Sequence, residues 1–400
     1  MFPKTLLPLS FNNPKLQIVS FVSLTFWGYL CIGLPLAVLP VYIHKTLGFS
    51  EIIAGVIISL QYVTTFLVRG IAGKIVDTKG PKLAVIISMS NFLLSGILLF
   101  IAFHYEENRM LSLTLLAITR LITGCAEGMV GASPINWAML VVGDQHTATA
   151  ISYNGIASYG ALALGAPLGV IISKNFGITT ISICISIVAL LGLMYTLFQK
   201  SVVGNSKSEP IPFLKVLGLV TPYGICLSLA GLGFGGLSNF ITLYYDYFNW
   251  TNAALCLSIF STLFILGRVF FANQITIRGG LKVSLICLIT ETIGLLLLFL
   301  ATNPGFALVG AAITGLGFSL IFPALGVEAV RLAPPSNAGA ALACYGLFID
   351  LSLGATGPLE GTVINLFGMK YLFLFCAIMV AISIFIVLKL TNKKLKKERI

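Results

Sequence analysis

Residues 177–198 read GITTISICISIVALLGLMYTLF, a run without a single charged side chain. At 1.5 Å per residue, a helix of this length extends about 33 Å, enough to cross the hydrocarbon core of a bilayer. Inside lipid every backbone N–H and C=O group must be paired within the segment itself, so such a run folds as a helix. The stretch therefore predicts a helix that crosses a membrane.

Runs of the same kind fill the chain. Of its 400 residues, 58% are hydrophobic and 9% are charged, whereas a soluble domain carries about 25% charged residues. The sequence therefore predicts an all-α membrane protein and excludes a soluble one. Cutting the chain at charged, proline-rich or asparagine-rich breaks predicts twelve spans, near residues 17–43, 52–74, 82–103, 110–140, 149–173, 177–198, 213–245, 252–272, 281–301, 305–329, 337–363 and 370–390.

The second half of the chain repeats features of the first. Three pairs of features lie about half the chain length apart, namely Arg69 with Arg268, Pro134 with Pro323, and the glycine–proline segment 165–169 with 357–361. Two six-helix bundles related by an axis along the membrane normal are a known transporter plan. We therefore predict an N-terminal bundle at 1–198, a cytoplasmic linker at 199–212, a C-terminal bundle at 213–390 and a basic cytoplasmic tail at 391–400.

The basic residues indicate orientation rather than nucleic-acid binding. The net charge is +11, and most Lys and Arg residues fall in alternate loops, at the helix ends beside those loops, or in the segment 393–399. Loops rich in Lys and Arg stay in the cytoplasm, where they also attract anionic lipid. This bias predicts a multi-pass membrane protein with both termini in the cytoplasm, and no nucleic-acid partner.

The sequence contains no pattern that indicates catalysis or the binding of a cofactor. The eight cysteines lie within apolar stretches and form no C-x-x-C pair, which indicates packing rather than disulfides or zinc. The three histidines fall in loops, and no P-loop is present. The segment 231–236 satisfies G-x-G-x-x-G, but it lies inside an apolar run without a preceding strand, so we interpret it as helix packing. We expect no enzyme activity, no metal and no cofactor.

The segment 73–82, between the second and third predicted spans, reads GKIVDTKGPK. It resembles the loop signature G-x-L-A-D-R-x-G-R-K of the major facilitator superfamily, with matches at Gly73, Asp77, Gly80 and Lys82. Thr78 and Pro81 replace two basic positions, so the charge network of the loop should be weaker than usual. In that family the loop latches the two halves in the outward-facing state, and the resemblance implies this role for Asp77.

Further motifs extend the resemblance over about residues 15–390. Arg120-x-x-x-Gly124 in the fourth span looks like the family motif linked with proton coupling. The fifth span looks like a loose form of the antiporter motif G-x-x-x-G-P-x-x-G-G, although Ala166 intervenes and the last glycine pair is absent. Its matching residues are Gly165, Pro167 and Gly169, with Gly357 and Pro358 as counterparts in the second half. Residues 322–329 and 348–354 look most like the bacterial YhhS/YfcJ-type subgroup, and this resemblance implies a place in the bacterial inner membrane.

Two charges share one face of the fourth span. A charge at the centre of a bilayer costs at least about 2.5–3.5 kcal/mol, so it is usually paired or functional. Glu127 follows Arg120 by seven residues, which is close to two helical turns, so both lie on one stripe with Gly124. We predict that this stripe faces the substrate cavity. The alternative is that Arg120 and Glu127 each satisfy a neighbouring helix.

Asp350 lies near mid-depth of the eleventh span. An acid in this setting suits a reversible proton carrier, because burial disfavours its charged form and a nearby cation favours it. The alternative is a packing hydrogen bond to another span.

We interpret Glu291, in the ninth span, as a structural partner for a polar neighbour. Polar or aromatic residues that we expect to line the cavity, unless they only pack, are Tyr29, Gln61, Asn136, Trp137, Tyr159 and Asn239.

The resemblance implies a monomeric secondary transporter that moves a small organic solute by alternating access. Proton-coupled efflux by antiport is the first hypothesis, because of the motifs in the fourth and fifth spans. Proton-coupled uptake is the second. A third hypothesis, from a different class, is a membrane sensor or assembly partner that does not transport. The expected partners are the solute, protons and the lipid bilayer.

Overall fold

The structure, a computed structural model, describes residues 13–143, 146–202, 213–332 and 338–398. These residues form helices joined by short turns, and no strand occurs among them. The helices are α1 (Pro14–Leu36), α2 (Leu39–Val41), α3 (Glu51–Lys79), α4 (Pro81–His104), α5 (Arg109–Val130), α6 (Ser133–Val142), α7 (Thr147–Phe176), α8 (Thr179–Phe198), α9 (Phe213–Tyr247), α10 (Ala253–Phe271), α11 (Gln274–Arg278), α12 (Gly280–Phe299), α13 (Pro304–Phe318), α14 (Ile321–Val330), α15 (Ala338–Phe367) and α16 (Leu372–Glu398).

The all-α membrane fold predicted from the sequence is confirmed. Within the described residues, 11 helical segments are long and apolar enough to cross a membrane. The remaining predicted span corresponds to α15, whose 30 residues extend about 45 Å. Apolar side chains cover the outer faces of the helices, as on α8, where Ile187 and Leu191 are more than half exposed. A surface of this kind is suited to lipid.

Two of the predicted spans are interrupted helices. The span predicted at 110–140 consists of α5 and α6, and Pro134 lies in the first turn of α6. A proline is tolerated there because the first N–H groups of a helix have no partner within it. The span predicted at 305–329 likewise consists of α13 and α14, with Pro323 near the start of α14. The two breaks lie at corresponding positions of the two halves.

The end of the first span is also irregular. The α-helix α1 contains Pro35 and ends at Leu36, and α2 follows with Pro40 in its first turn. Residues Tyr42–Thr46 then form one π-helical turn. The prolines explain the breaks, because each removes a backbone N–H from the helical ladder.

The chain divides into two compact units. Unit 1 comprises residues 1–35 and 60–207, and unit 2 comprises residues 36–59 and 208–400. The segment 36–59, which ends the first span and begins the second, therefore packs with unit 2. The bundle boundaries predicted from the sequence stay a prediction. Most of the predicted linker, residues 203–212, lies outside the described residues, and the predicted tail begins as part of α16.

Unit 2 has an aromatic core. The rings of Phe234 and Phe318 are stacked, with centroids 5.1 Å apart, and Phe260 and Phe264 extend the stack. Arg268 lies over Phe264, 4.7 Å from the ring centroid, and its Nε donates to the Ser319 carbonyl at 2.8 Å. The arginine that the sequence pairs with Arg69 is therefore held inside unit 2.

Candidate functional site

Gln61 on α3 joins the two charged residues of α5. All three side chains are buried. Arg120 Nη1 donates to Gln61 Oε1 at 3.1 Å, and Gln61 Nε2 donates to Glu127 Oε2 at 2.9 Å. A guanidinium has no acceptor, so the amide oxygen has to face Arg120, and the amide N–H groups then face the carboxylate. One neutral amide thus bridges two opposite charges inside unit 1. We call Arg120 and Glu127 the bridged pair.

Thr65 and Gly124 hold the bridged pair in place. Thr65, one helical turn after Gln61, has its Oγ1 atom 3.0 Å from Glu127 Oε2 and 3.2 Å from the Gly124 carbonyl oxygen. A Cβ atom on Gly124 would overlap the carbonyl oxygen of Gln61. Glycine at position 124 therefore lets α3 and α5 meet at the depth of the bridge. Gly124 of the motif Arg120-x-x-x-Gly124 therefore has a packing role, in addition to any role of the motif in proton coupling.

The structure places Arg120 and Glu127 against a neighbouring helix, which is the alternative that the sequence left open. Their exposure to a substrate cavity stays a prediction. Of the residues expected to line that cavity, Gln61 bridges Arg120 and Glu127, and the Tyr29 hydroxyl group lies at the C-terminal end of α5. The position that a Cβ on Gly131 would take is 3.4 Å from the Tyr29 hydroxyl oxygen.

The other expected cavity residues are distributed over α6, α7 and α9. Trp137 is fully buried on α6, its ring 5.0 Å from that of Phe21, and its Nε1 has no hydrogen-bond partner among the described residues. Tyr159 is buried on α7, and Asn136 is half-buried. Asn239 is buried on α9 in unit 2, where its Oδ1 lacks a partner within the described part of the chain.

The loop motif begins in α3 and ends in the first turn of α4. Gly80 has φ +88, a left-handed conformation that glycine adopts readily, and it reverses the chain between the two helices. Lys82 Nζ donates to the carbonyl oxygens of Leu197 (2.9 Å) and Gln199 (2.6 Å), at the C-terminal end of α8. Gly73 lies on an open face of α3. Asp77 is on α3, but its side chain lies outside the described residues.

The glycines of the fifth-span motif form a close helix crossing in unit 1. A Cβ on Gly165 of α7 would lie 2.8 Å from the Gly33 backbone of α1, and one on Gly169 would overlap the Leu34 carbonyl oxygen. Pro167 lies between them inside α7. In unit 2, Gly357 and Pro358 on α15 have the corresponding positions, and Gly357 packs against Gly55 of α3.

Asp350 is buried on α15, in a segment that is tied to α9. Ser228 Oγ donates to the Phe348 carbonyl at 2.5 Å, and Ser352 Oγ donates to the Ser228 carbonyl at 2.6 Å. These two bonds flank Asp350 and fix the helix that carries it.

Glu360, a buried acid of unit 2, was not among the site residues predicted from the sequence. Glu360 is fully buried on α15, as is Glu291 on α12. The signal that could have found it is the four-residue spacing of Ser352, Thr356 and Glu360, which puts three polar side chains on one face. Among the described residues, no group of three or more His, Cys, Asp or Glu side chains is placed to hold a metal ion.

Comparison with known proteins identifies the family. Residues 19–276 and 223–399 match the sequence model of the Major Facilitator Superfamily. The chain belongs to this superfamily. The superfamily resemblance found in the loop and helix motifs is therefore confirmed, and the protein is a membrane transporter rather than an enzyme.

Relatives and solved structures agree with the family assignment. An uncharacterized MFS-type transporter of Pseudomonas aeruginosa (strain LESB58) is 50% identical over 367 residues, which cover 92% of this chain and 91% of that protein. The D-xylose–proton symporter structure has a TM-score of 0.78 at 13% identity, covering 93% of this chain and 96% of that one. The human organic anion transporter MFSD10 gives 0.71 at 15% identity, covering 94% and 100%. These structural likenesses concern the fold alone.

Proposed function

We propose that this superfamily member exports a small organic solute across the bacterial inner membrane in exchange for protons. The bridged pair is the observation that carries the proposal. A carboxylate and a guanidinium are buried seven residues apart on α5, and each is hydrogen-bonded to the same amide of α3. Buried charges in a membrane are costly, so a site that retains two of them calls for a function.

The bridge supplies a way to couple a proton to a solute. When Glu127 is ionised, it attracts the Gln61 amide, whose oxygen then holds Arg120. Protonation of Glu127 removes the charge that orients this amide. It also removes the charge that would attract a cationic or hydrogen-bond-donating group of the solute, so a proton and such a group cannot both be held by Glu127. Proton binding and solute binding thereby compete for one carboxylate, as exchange of a solute for protons requires.

The proposed direction of transport rests on the fifth-span motif. Gly165, Pro167 and Gly169 resemble the antiporter pattern, and both glycines pack tightly against α1. Likeness to a D-xylose–proton symporter does not favour uptake, because at 13% identity it concerns the fold. The subgroup resemblance of residues 322–329 and 348–354 forms part of the same proposal.

The test is solute flux driven by a pH gradient. Metabolite profiling of a deletion strain against an overexpressing strain first selects the solute. Everted membrane vesicles with an acidic lumen should then accumulate that solute and release lumenal protons, as a trapped pH-sensitive dye reports. Accumulation only in right-side-out vesicles would establish uptake instead. Binding of the solute without flux in either orientation would identify a sensor.

The proposed orientation is tested by reporter fusions. Fusions after residues 106 and 248 should report the periplasm, and fusions after 205 and at 398 should report the cytoplasm, because Lys and Arg are concentrated in the loops assigned to the inside. A periplasmic signal at 205 would overturn the two-bundle arrangement.

A further inference from the structure

A second group of acids lies in unit 2, at the glycine-rich turn of α9. The position of a Cβ on Gly233 would lie 2.7 Å from Glu291 Oε1, and that on Gly236 would lie 2.8 Å from Glu360 Oε2. Both glutamates are fully buried. The glycines at 233 and 236 thus form a notch in α9, and two carboxyl groups from different helices fill it.

The two carboxyl groups approach the same face of α9. Gly233 and Gly236 are three residues apart, so their Cβ positions lie about 5–6 Å from each other. Glu291 comes from α12 and Glu360 from α15, and each meets α9 where a side chain of α9 would otherwise stand. We call Glu291 and Glu360 the notch acids.

Within the described residues, the notch acids lack an ion pair and most of the hydrogen bonds that buried carboxylates require. Neither oxygen of Glu291 has a hydrogen-bond partner among the described residues, and the same holds for Glu360 Oε2. Glu360 Oε1 accepts from Cys376 Sγ at 3.5 Å. The titratable groups that face them are Cys287 on α12 and Cys376 on α16, and neither supplies a positive charge. A buried carboxylate without a cation or hydrogen bonds is strongly unfavourable.

A proton is the ligand that fits this arrangement. A metal cation bound by oxygen takes about six or more ligands, whereas the described residues around the notch form no group of three or more acids, thiols and imidazoles able to hold one. A proton needs one lone pair and no added space. We propose that Glu291 and Glu360 form a proton-binding site, in which each carboxyl group holds a proton that exchanges with solvent.

The position of the site connects it with the proposed transport cycle. Glu360 is ten residues beyond Asp350 on α15, about 15 Å along the helix. The hydroxyl groups of Ser352 and Thr356 are buried between them, so the intervening face of α15 is polar. The use of these protons in transport rests on the proposed function, whereas their binding can be measured without any solute.

Infrared spectroscopy of the purified full-length protein in lipid tests the site directly. At neutral pH, the carbonyl-stretching region of protonated carboxylic acids should contain components that Glu291→Gln and Glu360→Gln each remove, and these components should shift in D₂O. Glu328→Gln is the matched control. Glu328 is also a buried acid of unit 2, but it accepts from Gly280 N at 3.1 Å and from Arg331 Nη1 at 3.4 Å. Its substitution should remove nothing from this region.

A second variant keeps the test decisive if a glutamine substitution prevents folding. Cys376→Ala removes the thiol bonded to Glu360 Oε1, so it should shift the Glu360 component and leave the Glu291 component in place. Spectra unchanged by all these variants, or components that do not shift in D₂O, would overturn the proposal. If the expected spectra were found without proton-driven flux, the proton-binding site would be supported and the proposed antiport refuted. If proton-driven flux were found without these spectral components, the antiport would be supported and the proton-binding site refuted.

Discussion

Gly55 on α3 and Gly357 on α15 approach so closely that a Cβ atom on either residue would overlap the carbonyl oxygen of the other. Four residues away on each helix, a Cβ on Gly361 would lie 3.0 Å from the Glu51 carbonyl oxygen. The two helices therefore cross antiparallel along bare backbone, within unit 2. This contact anchors the segment 36–59 to α15.

Substituting either glycine of this crossing should destabilise the protein. Gly357→Leu and Gly55→Leu would each force the helices apart, at a cost of about 1–3 kcal/mol. The midpoint of thermal unfolding in detergent should fall for both variants. Gly70→Leu is the control on the same helix α3, because nothing lies within 4 Å of the position of its Cβ; it should change stability by less than about 0.5 kcal/mol. Equal midpoints for all three variants would contradict the crossing.

Gln61→Leu should impair both stability and transport. The substitution leaves Arg120 and Glu127 buried without the amide that satisfies them, and breaking a buried pair costs about 3–5 kcal/mol. Thr65→Val removes one hydroxyl group beside Glu127 and should cost only about 1 kcal/mol. Thermal unfolding and vesicle flux should show the same order of severity.

The control for Gln61→Leu is Asn91→Leu, which also removes an amide group from a membrane helix. Asn91 on α4 donates to the Ile87 carbonyl of its own helix at 3.0 Å, so Asn91→Leu should leave unfolding and flux near the wild-type values. If Gln61→Leu matched Asn91→Leu in both measurements, the bridge would be no more than local packing.

Lys82→Met should lower the unfolding midpoint slightly. Lys82 donates to the last carbonyl groups of α8, where a positive charge is favourable by about 0.3–1 kcal/mol. Lys82→Arg should retain most of this stabilisation. Lys79→Met, at an exposed position of the same loop region, provides the comparison. A fall in flux without any fall in midpoint would instead favour a role for Lys82 in the conformational latch.

The positions of the helices could be predicted from the sequence because lipid imposes a length and a composition on each span. The span predicted at 177–198 is α8 at Thr179–Phe198. The breaks after Val130 and Phe318 were less evident, since a hydropathy pattern runs across them without change. Pro134 and Pro323 gave a local signal for these breaks, but the sequence alone did not show that each span is interrupted there.

The partners of the polar residues could not be predicted in the same way. Gln61 and Arg120 are 59 residues apart, and a neutral amide in an apolar span gives no sign of which helix it will meet. In the sequence, Glu360 stands out by its spacing from Ser352 and Thr356 and by its place in a repeated glycine–proline segment, but neither feature shows what it contacts. Its burial beside Gly236 depends on the rotation of α15 against α9, which is a property of packing between helices. The hydrophobic pattern of a sequence therefore predicts the depth of a residue in the membrane much better than it predicts which residues contact it.

Asp350→Asn tests whether Asp350 carries a coupling proton in addition to Glu127. A coupling acid must change its protonation during the cycle, and an amide of the same shape cannot ionise. Asp350 is buried on α15 between two hydrogen bonds to Ser228, so the amide should be accommodated without disturbing the helix. The variant should fold, reach the membrane and bind the solute. It should fail to accumulate the solute against a pH gradient, while exchange of solute without net proton movement should persist.

Glu107→Gln is the control for Asp350→Asn, because Glu107 is an exposed acid in the turn before α5. Its neutralisation should leave gradient-driven accumulation intact. Counterflow of labelled solute, measured in both variants with and without the pH gradient, separates coupling from translocation. Asp350→Asn should lose the response to the gradient and keep counterflow. Full accumulation by Asp350→Asn would remove this residue from the coupling mechanism and leave Glu127, held through Gln61, as the coupling acid of the proposal.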